Sequence, residues 1–385
     1  MSCILPFINL EARTDGTMSV CCIMQESAKK DDGTEFNLAN GDTLSDVKQS
    51  KWLQVTQDKF LNNEKLDACA NCWHEEEAGI QSKRLRENSY WGEDFVPNTK
   101  ALDLKLGNIC NSKCRICSSF ASSQWAAEEL KLNPNNASAK KFNKQGMWPK
   151  TNDKFWDDID NHLKGIEKLE FFGGEPLMIE RHYEILERCV ALGIAKNIRL
   201  AYNTNASIFP EDKIALWEQF NKVEIFVSID DINERFEYIR FPGNFVDVIT
   251  NLGKFSKLDK DIFNIGIFQT ISTFNIMHMD ALTEFISNHF EDINIHYNMV
   301  FTPSHISPKV LPKRIKEKVT ALYGDNPSEH VKRTLSFMNG EQYPHNEWIN
   351  FVTQTRTIDK FRKEQFENIF PELFKLIERD WNGIQ

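Results

Sequence analysis

ALDLKLGNICNSKCRIC, residues 101–117, joins an alternating apolar run to three cysteines that lie within eight residues. The alternation of apolar and polar residues predicts a β-strand, and the thiols follow its C-terminal end. Three thiols are one fewer than a closed four-ligand metal site requires. The stretch therefore predicts a metal centre with one open position, at which a small molecule could chelate.

The strand within this stretch is the first of six that alternate with amphipathic helices. The predicted strands are LDLKL, KLEFF, NIRLAY, KVEIFVSID, FNIGIFQTIS and INIHYNMVF. Strand and helix in strict alternation predict parallel strands joined by right-handed crossovers. We therefore expect an α/β fold, a partial (β/α)6 barrel over residues 96–305. Within 118–163, the stretch NPNNASAKKFNKQG predicts a polar loop that reaches over one end of the barrel.

The segments on either side of this core differ from it. Residues 1–95 predict a small cysteine-bearing module, with a turn and strand at DGTMSVCC and a helix from Ser50 to about Leu66 that leads into ACANCW. Residues 306–385 predict a helical C-terminal extension. Cys189 falls in a helical pattern and is expected to be an ordinary buried residue.

Composition limits the classes of function. The net charge of −10 argues against nucleic acid as a partner, because a polyanion would be repelled. No apolar run approaches the roughly 18 residues of a membrane span, and the N-terminus lacks the pattern of a secretory signal, so we expect a cytoplasmic protein. Nine cysteines in that compartment should be reduced thiols, which favours metal or redox chemistry.

CNSKCRIC resembles the Cys-x3-Cys-x2-Cys signature of the radical S-adenosylmethionine (radical SAM) superfamily. The resemblance implies that Cys110, Cys114 and Cys117 hold a [4Fe–4S] cluster whose open site binds S-adenosyl-L-methionine. It also implies reductive cleavage of that cofactor to a 5′-deoxyadenosyl radical, which abstracts a hydrogen atom from a substrate. The electron donor expected for such an enzyme is a flavodoxin or a ferredoxin.

Three later stretches resemble cofactor-binding motifs of the same superfamily: FFGGEP, YNTNAS, and VSIDD followed by FEYIRFPGNF. Paired glycines let a backbone approach a ligand closely, and an arginine offers a two-pronged fork to a carboxylate. The resemblance implies that the cofactor is bound by Gly173, Gly174, Glu175, Asn203, Asn205, Ser228 and Arg240. No catalytic acid or base can be selected from the sequence.

The N-terminal cysteines resemble the auxiliary-cluster modules called SPASM or Twitch. The resemblance implies a second iron–sulfur cluster held by Cys3, Cys21, Cys69 and Cys72. Cys22 competes with Cys21, because adjacent strand residues point to opposite faces. Zinc is an alternative, since a Cys-x2-Cys pair also occurs in zinc ribbons. In the best known relatives this module follows the barrel, whereas here it precedes it.

Three functions stay open at this point. The first is modification of a peptide or protein side chain, because relatives with auxiliary clusters mature peptides or sulfatases. The second is a dehydrogenase or rearrangement enzyme for a sugar or nucleotide, which an enclosed polar pocket would favour. The third is a non-catalytic zinc-binding protein.

The C-terminal stretch TIDKFRKEQFENIFPEL contains Asp359 and Arg362. It resembles the tails of uncharacterised Twitch-containing radical SAM proteins, including some carried by phages. Its charge pattern by itself predicts a solvated amphipathic helix.

Overall fold

A computed structural model of the chain describes residues 3–77, 79, 81–92 and 97–384. Its centre is one sheet of eight strands. The strands are β1 (Asn9–Ala12), β2 (Met18–Ser19), β3 (Ala101–Leu104), β4 (Lys168–Phe171), β5 (Arg199–Thr204), β6 (Lys222–Ser228), β7 (Phe263–Ile271) and β8 (Asn294–Met299).

The sheet order is β2-β1-β3-β4-β5-β6-β7-β8, and among the strands of the described residues only the β1–β2 pair is antiparallel. The six strands predicted from the sequence correspond to β3–β8, each parallel to its neighbour. Within the described ranges, hydrogen bonding does not join β8 to β2. The structure thus shows a mostly parallel α/β sheet, and the (β/α)6 barrel stays a prediction.

Strand β1 was not predicted, and it places part of the N-terminal segment in the central sheet. It pairs with β3 in parallel, from Asn9 opposite Ala101 to Ala12 opposite Leu104. Part of the predicted module therefore belongs to the same sheet as the core. The domain limits stay a prediction, and the boundary between residues 95 and 96 lies outside the described residues.

Helices of the N-terminal segment are short. They are α1 (Leu5–Ile8), α2 (Leu44–Lys48), α3 (Lys51–Leu61), α4 (Ala70–Glu77) and α5 (Lys83–Trp91). The side chain of Ser50 accepts a hydrogen bond from the Leu53 amide, so α3 begins where the sequence predicts. It ends at Leu61, sooner than expected.

Eight helices connect the parallel strands: α6 (Ser123–Leu132), α7 (Ala137–Gln145), α8 (Asp153–Leu163), α9 (Arg181–Ala191), α10 (Ile214–Trp217), α11 (Asn233–Ile239), α12 (Phe245–Phe255) and α13 (Ala281–His289). The polar loop predicted at NPNNASAKKFNKQG was wrong, because most of that stretch is α7. Asn136 caps the helix by accepting from the Ala139 amide, and the alanines and lysines that follow favour helix.

The C-terminal extension is helical, as predicted. Its helices are α14 (Lys313–Tyr323), α15 (Glu329–Asn339), α16 (His345–Arg362), α17 (Phe366–Ile369) and α18 (Pro371–Gly383). The expectation of a solvated helix at its end was wrong. Within the stretch for which it was made, Asp359, Phe366 and Phe370 are buried. On α16, Asp359 continues a buried face with Phe351 and Thr355, four residues apart. No helix in the described part of the chain is long and apolar enough to cross a membrane.

Alternation along the strands gives the sheet two different faces. Leu102, Leu104 and Leu169 belong to the hydrophobic core shared with α8, α9, α12 and α13. Asp103 lies opposite both Glu11 and Glu170 in the register, on the other side of the sheet. We call this second side, which continues through Glu224 on β6, the inner face.

Candidate functional site

The three clustered cysteines lie beyond the C-terminal end of β3, in a segment that we call the cysteine loop (residues 110–117). Cys114 is buried, and Cys110 and Cys117 are half-buried. Burial and then the neighbouring Cys114 thiol raise the pKa of Cys117 to about 12. The same two causes raise the pKa of Cys110. The three thiols are therefore close enough to influence one another electrostatically.

Gly173 and Gly174 bring the end of β4 against the entry to the cysteine loop. A Cβ atom on Gly174 would lie 2.1 Å from the Ile109 carbonyl oxygen, and Gly173 has a φ of +108°. The Glu175 amide donates to the same Ile109 oxygen at 2.7 Å. The glycines thus permit a close approach between two backbones, and their contact with a cofactor stays a prediction.

Glu175 is buried and joins the ends of β4 and β5. Its Oε1 accepts from the Thr204 hydroxyl at 2.7 Å and the Leu177 amide at 3.1 Å, and its Oε2 accepts from the Asn205 amide at 2.7 Å. Burial raises the pKa of this carboxyl to about 7. Three of its roughly four acceptor positions are therefore filled by the protein itself. A bond to the amino group of a cofactor stays a prediction.

Two asparagines near the end of β5 differ in what they contact. Asn205 Nδ2 donates to Asn111 Oδ1 at 2.8 Å and to Ser112 Oγ at 3.2 Å, so it supports the cysteine loop. Asn203 lies two residues earlier, within β5, and its buried Oδ1 accepts no hydrogen bond from the described residues. An unsatisfied buried acceptor is costly, so Asn203 has an acceptor free for a ligand.

Arg240 follows α11 and lies beside the thiols. Its Nε donates to Asp230 Oδ2 at 2.7 Å. Burial lowers the pKa of the guanidinium, but Asp230 and Cys114 raise it more, so the net shift is upward. Backbone bonds from Lys113 to Phe241 and from Arg115 to Ile239, of 2.8 and 2.6 Å, attach the cysteine loop to the segment that carries Arg240.

A cavity of about 150 Å³ lies between the cysteine loop and this segment. Asn111, Ser112, Asn205 and Arg240 contribute to its lining. Two of the seven residues implied to bind cofactor, Asn205 and Arg240, therefore line this cavity. Ser228 ends β6 and is half-buried, but it is not among the described residues that line this cavity.

The C-terminal extension reaches the cysteine loop, which the sequence did not predict. Arg115 Nη2 lies 2.5 Å from Asp359 Oδ1 and 2.7 Å from Glu364 Oε2. Asp359 also accepts from the Tyr238 hydroxyl at 2.7 Å and the Phe366 amide at 2.9 Å. The only signal in the sequence is the four-residue spacing that places Asp359 on the apolar face of α16.

A second ion pair, which joins α16 to α6, also contacts the cysteine loop. Arg362 donates to Glu128 Oε1 through Nε at 2.9 Å and Nη2 at 2.6 Å, and both side chains are 1% exposed. Arg362 Nη2 also donates to the Lys113 carbonyl at 2.9 Å, and Lys113 Nζ pairs with Glu128. Residues that the sequence placed on a solvated helix therefore fix the position of the cysteine loop.

Four N-terminal cysteines line one small pocket: Cys3, Cys21, Cys69 and Cys72. Nδ2 of the Asn9 side chain, at the first position of β1, donates to the Val20 carbonyl at 2.8 Å. The pocket therefore lies near the start of β1, whereas the cysteine loop follows the opposite end of β3. Cys22 is not among the described residues that line this pocket, and its Sγ accepts from Nζ of Lys83, which does line it, at 3.1 Å.

Buried ion pairs on the inner face lie between the two cysteine sets. Lys105 pairs with Glu11 and lies 3.4 Å from Asp103, and Glu170 pairs with Lys168 at 3.0 Å. Buried charges are tolerated when they are paired in this way. These ion pairs fill this part of the inner face and connect β1, β3 and β4.

Both cysteine sets offer sulfur donors alone, which suits an iron–sulfur cluster. No group of three or more His, Cys, Asp or Glu side chains in the described ranges is placed to hold one metal ion. A cluster distributes its thiolates over several irons, so its ligands do not converge on a single atom. The arrangement is compatible with clusters, and it offers no preformed single-ion site in the described part of the chain.

The chain is similar to one family model and to several solved structures. Residues 104–283 match the family model of the radical SAM superfamily. No curated protein matches the chain. The solved structures similar to it include native anSMEcpe with bound AdoMet, at 15% identity over 69% of this chain and 63% of that one, with a TM-score of 0.38. The chain therefore spans less than two thirds of that structure's length.

Two further structures show a similar level of likeness. Streptococcus suis SuiB bound to S-adenosylmethionine is 12% identical over 68% of this chain and 51% of its own, with a TM-score of 0.34. TYW1 with a lysine-pyruvate adduct bound is 13% identical over 58% of this chain and 72% of its own, with a TM-score of 0.30.

Proposed function

We propose that the chain, whose residues 104–283 match the family model of the radical SAM superfamily, is an enzyme that reductively cleaves S-adenosylmethionine and abstracts a hydrogen atom from a peptide or protein side chain. The observation that carries the proposal is the cysteine loop, with its three neighbouring thiols, next to a cavity lined by Arg240 and Asn205. This site follows the C-terminal ends of parallel strands, where α/β enzymes place their chemistry.

In the proposed enzyme, Cys110, Cys114 and Cys117 would hold a [4Fe–4S] cluster. When bound, the cluster and S-adenosylmethionine together supply a 5′-deoxyadenosyl radical. The chain binds and orients the cofactor. Arg240, fixed through Nε by Asp230, has its remaining guanidinium nitrogens available for the carboxylate of the methionine part. Asn203 Oδ1 is the acceptor for a hydroxyl or ammonium group.

Cys3, Cys21, Cys69 and Cys72 would hold a second iron–sulfur cluster, since all four line one pocket. Cys21 lines this pocket and Cys22 is not among the described residues that do, which supports Cys21 as the ligand. Four thiolates are the usual complement of such a cluster.

The inner face of β6–β8 supports a peptide as the substrate. Asn294, His296 and Asn298, which alternate along β8, are exposed. The ring of His296 lies 5.2 Å from that of Phe226 on β6, which is half-buried. An open, partly aromatic surface suits an extended chain better than a small sugar or nucleotide, which an enclosed pocket would bind.

Anaerobic reconstitution with iron and sulfide tests the proposal, followed by an assay of 5′-deoxyadenosine formed with dithionite. We expect about eight irons per chain and cofactor cleavage in the wild type. Cys114→Ala should abolish cleavage, whereas Cys189→Ala, which removes a buried thiol in α9, should retain it. Stoichiometric zinc, or cleavage that survives Cys114→Ala, would refute the proposed function.

A further inference from the structure

A group of exposed lysines forms a stretch of positive charge in a chain that is acidic as a whole. Five lysines and no acidic residue lie between Leu130 and Asn152, although the whole chain carries a net charge of −10. All five are exposed. They form what we call the lysine face: Lys131, Lys140, Lys141, Lys144 and Lys150.

Helix α7, which carries the central lysines, contacts residues that flank the cysteine loop on both sides. Asn108, two residues before Cys110, donates through Nδ2 to the Phe142 carbonyl at 2.9 Å. The ring of Phe120, three residues after Cys117, meets the ring of Phe142 edge-on at 5.3 Å. The lysine face is therefore adjacent to the proposed cluster.

The charges of the lysine face are mostly uncompensated. Among the described residues, Lys141 is the member with an ion pair, to Asp15 at 3.0 Å, and its side chain is still 61% exposed. The nearest acidic residues along the chain are Glu129, which is half-buried, and the exposed Asp153. An unpaired cationic surface in an acidic protein attracts an anionic partner at long range.

We propose that the lysine face is the docking surface for an acidic one-electron carrier protein that reduces the cysteine-loop site. This inference rests on the proposed function. One electron leaves the reduced flavin of the carrier and enters the metal centre held by the three thiols, and no covalent bond changes. Opposite charges steer such an encounter and raise its rate, and interfaces of this transient kind are small.

The test compares two donors and two double charge reversals in the reconstituted full-length protein. Lys140→Glu/Lys144→Glu alters the lysine face. Lys164→Glu/Lys196→Glu makes the same change in net charge at two exposed lysines that precede β4 and β5, at the opposite end of the sheet. Formation of 5′-deoxyadenosine is measured with dithionite, which needs no docking surface, and with a reduced bacterial flavodoxin at low and high salt. Binding of oxidised flavodoxin is measured separately by titration.

For Lys140→Glu/Lys144→Glu we expect flavodoxin affinity and flavodoxin-driven rate to fall about tenfold at low salt, with the dithionite rate unchanged. The control pair should match the wild type. Equal losses in both variants, or full flavodoxin binding by the lysine-face variant, would overturn the inference. If dithionite gives no 5′-deoxyadenosine in the wild type, the proposed function fails, and the titration still decides whether the lysine face binds an acidic protein.

Discussion

Arg115 and Asp359 are 244 positions apart in the chain, yet Nη2 of the arginine lies 2.5 Å from Oδ1 of the aspartate. Because Arg115 sits between Cys114 and Cys117, this pair fixes the middle of the cysteine loop to helix α16. The C-terminal extension is therefore part of the structure that supports the proposed cluster.

Asp359→Asn should destabilise the protein and loosen the cysteine loop. The substitution removes the charge that faces the buried Arg115, which keeps Glu364 as its remaining partner, so we expect a loss of about 2 kcal/mol in the free energy of unfolding. Denaturant titration measures this loss, and the rate at which a chelator removes iron reports on the loop. Lys360→Gln, at an exposed site on the same helix, should change neither quantity. Equal iron loss in both variants would contradict the assignment.

Gly174→Ala should prevent the cysteine loop from reaching its position. The added Cβ would lie 2.1 Å from the Ile109 oxygen, which is backbone and cannot rotate away. We expect a cost of about 1–3 kcal/mol and reduced iron incorporation. Gly253→Ala in α12 is the matched change, because its Cβ would meet only Phe290, at 3.9 Å. It should be neutral or stabilise the protein by up to about 1 kcal/mol. Normal iron content in Gly174→Ala would show that the close approach is not required.

Cys21→Ala and Cys22→Ala should differ in iron content after reconstitution. Cys21 lines the pocket with Cys3, Cys69 and Cys72, whereas Cys22 accepts from Lys83. Under the proposed function, Cys21→Ala loses the N-terminal cluster, and its iron content falls from about eight to about four. Cys22→Ala keeps both clusters. Iron and sulfide analysis with electron paramagnetic resonance distinguishes them, and the reverse pattern would make Cys22 the ligand.

His182 should make the protein less stable as the pH falls. Burial lowers the pKa of His182 to about 3, against the ordinary 6.5 that we assume for the unfolded chain. Between these values the unfolded chain binds a proton that the folded chain does not, so the free energy of unfolding falls as the pH drops below 6.5. From pH 7 to pH 5 this contribution amounts to about 2 kcal/mol. His182→Gln should remove that part of the slope in denaturant titrations, and an unchanged slope would exclude His182 as its source.

The parts of the fold that the sequence predicted are those with strong local patterns. Strands β3–β8 are apolar runs between amphipathic helices, so period and order alone predict their parallel arrangement. Strand β1 has only the four residues NLEA and follows the apolar run ILPFI, so no alternation marks it. Helix α7 was missed because its polar residues were assigned to a loop, although Asn136 supplies a cap.

The residues of the candidate site also fall into two groups, those that a local sequence pattern predicts and those that it does not. The spacing of Cys110, Cys114 and Cys117 is local, so the sequence reveals it. The pairing of Arg115 with Asp359 and of Arg362 with Glu128 depends on how distant helices pack, which no local spacing encodes. The structure also shows that Glu175 and Asn205, selected as cofactor contacts, hold parts of the protein itself.

The pairing of β1 with β3 determines how far the chain can be shortened. Besides the strand pairing, the Lys100 amide donates to Ile8 at 2.7 Å, and the Lys105 amide donates to Ala12 at 2.9 Å. A truncated protein that starts at residue 97 would leave this row of backbone groups without partners on an exposed edge, which is a template for aggregation. Residues 3–12 therefore protect the sheet from self-association, although only Cys3 among them belongs to a predicted metal site.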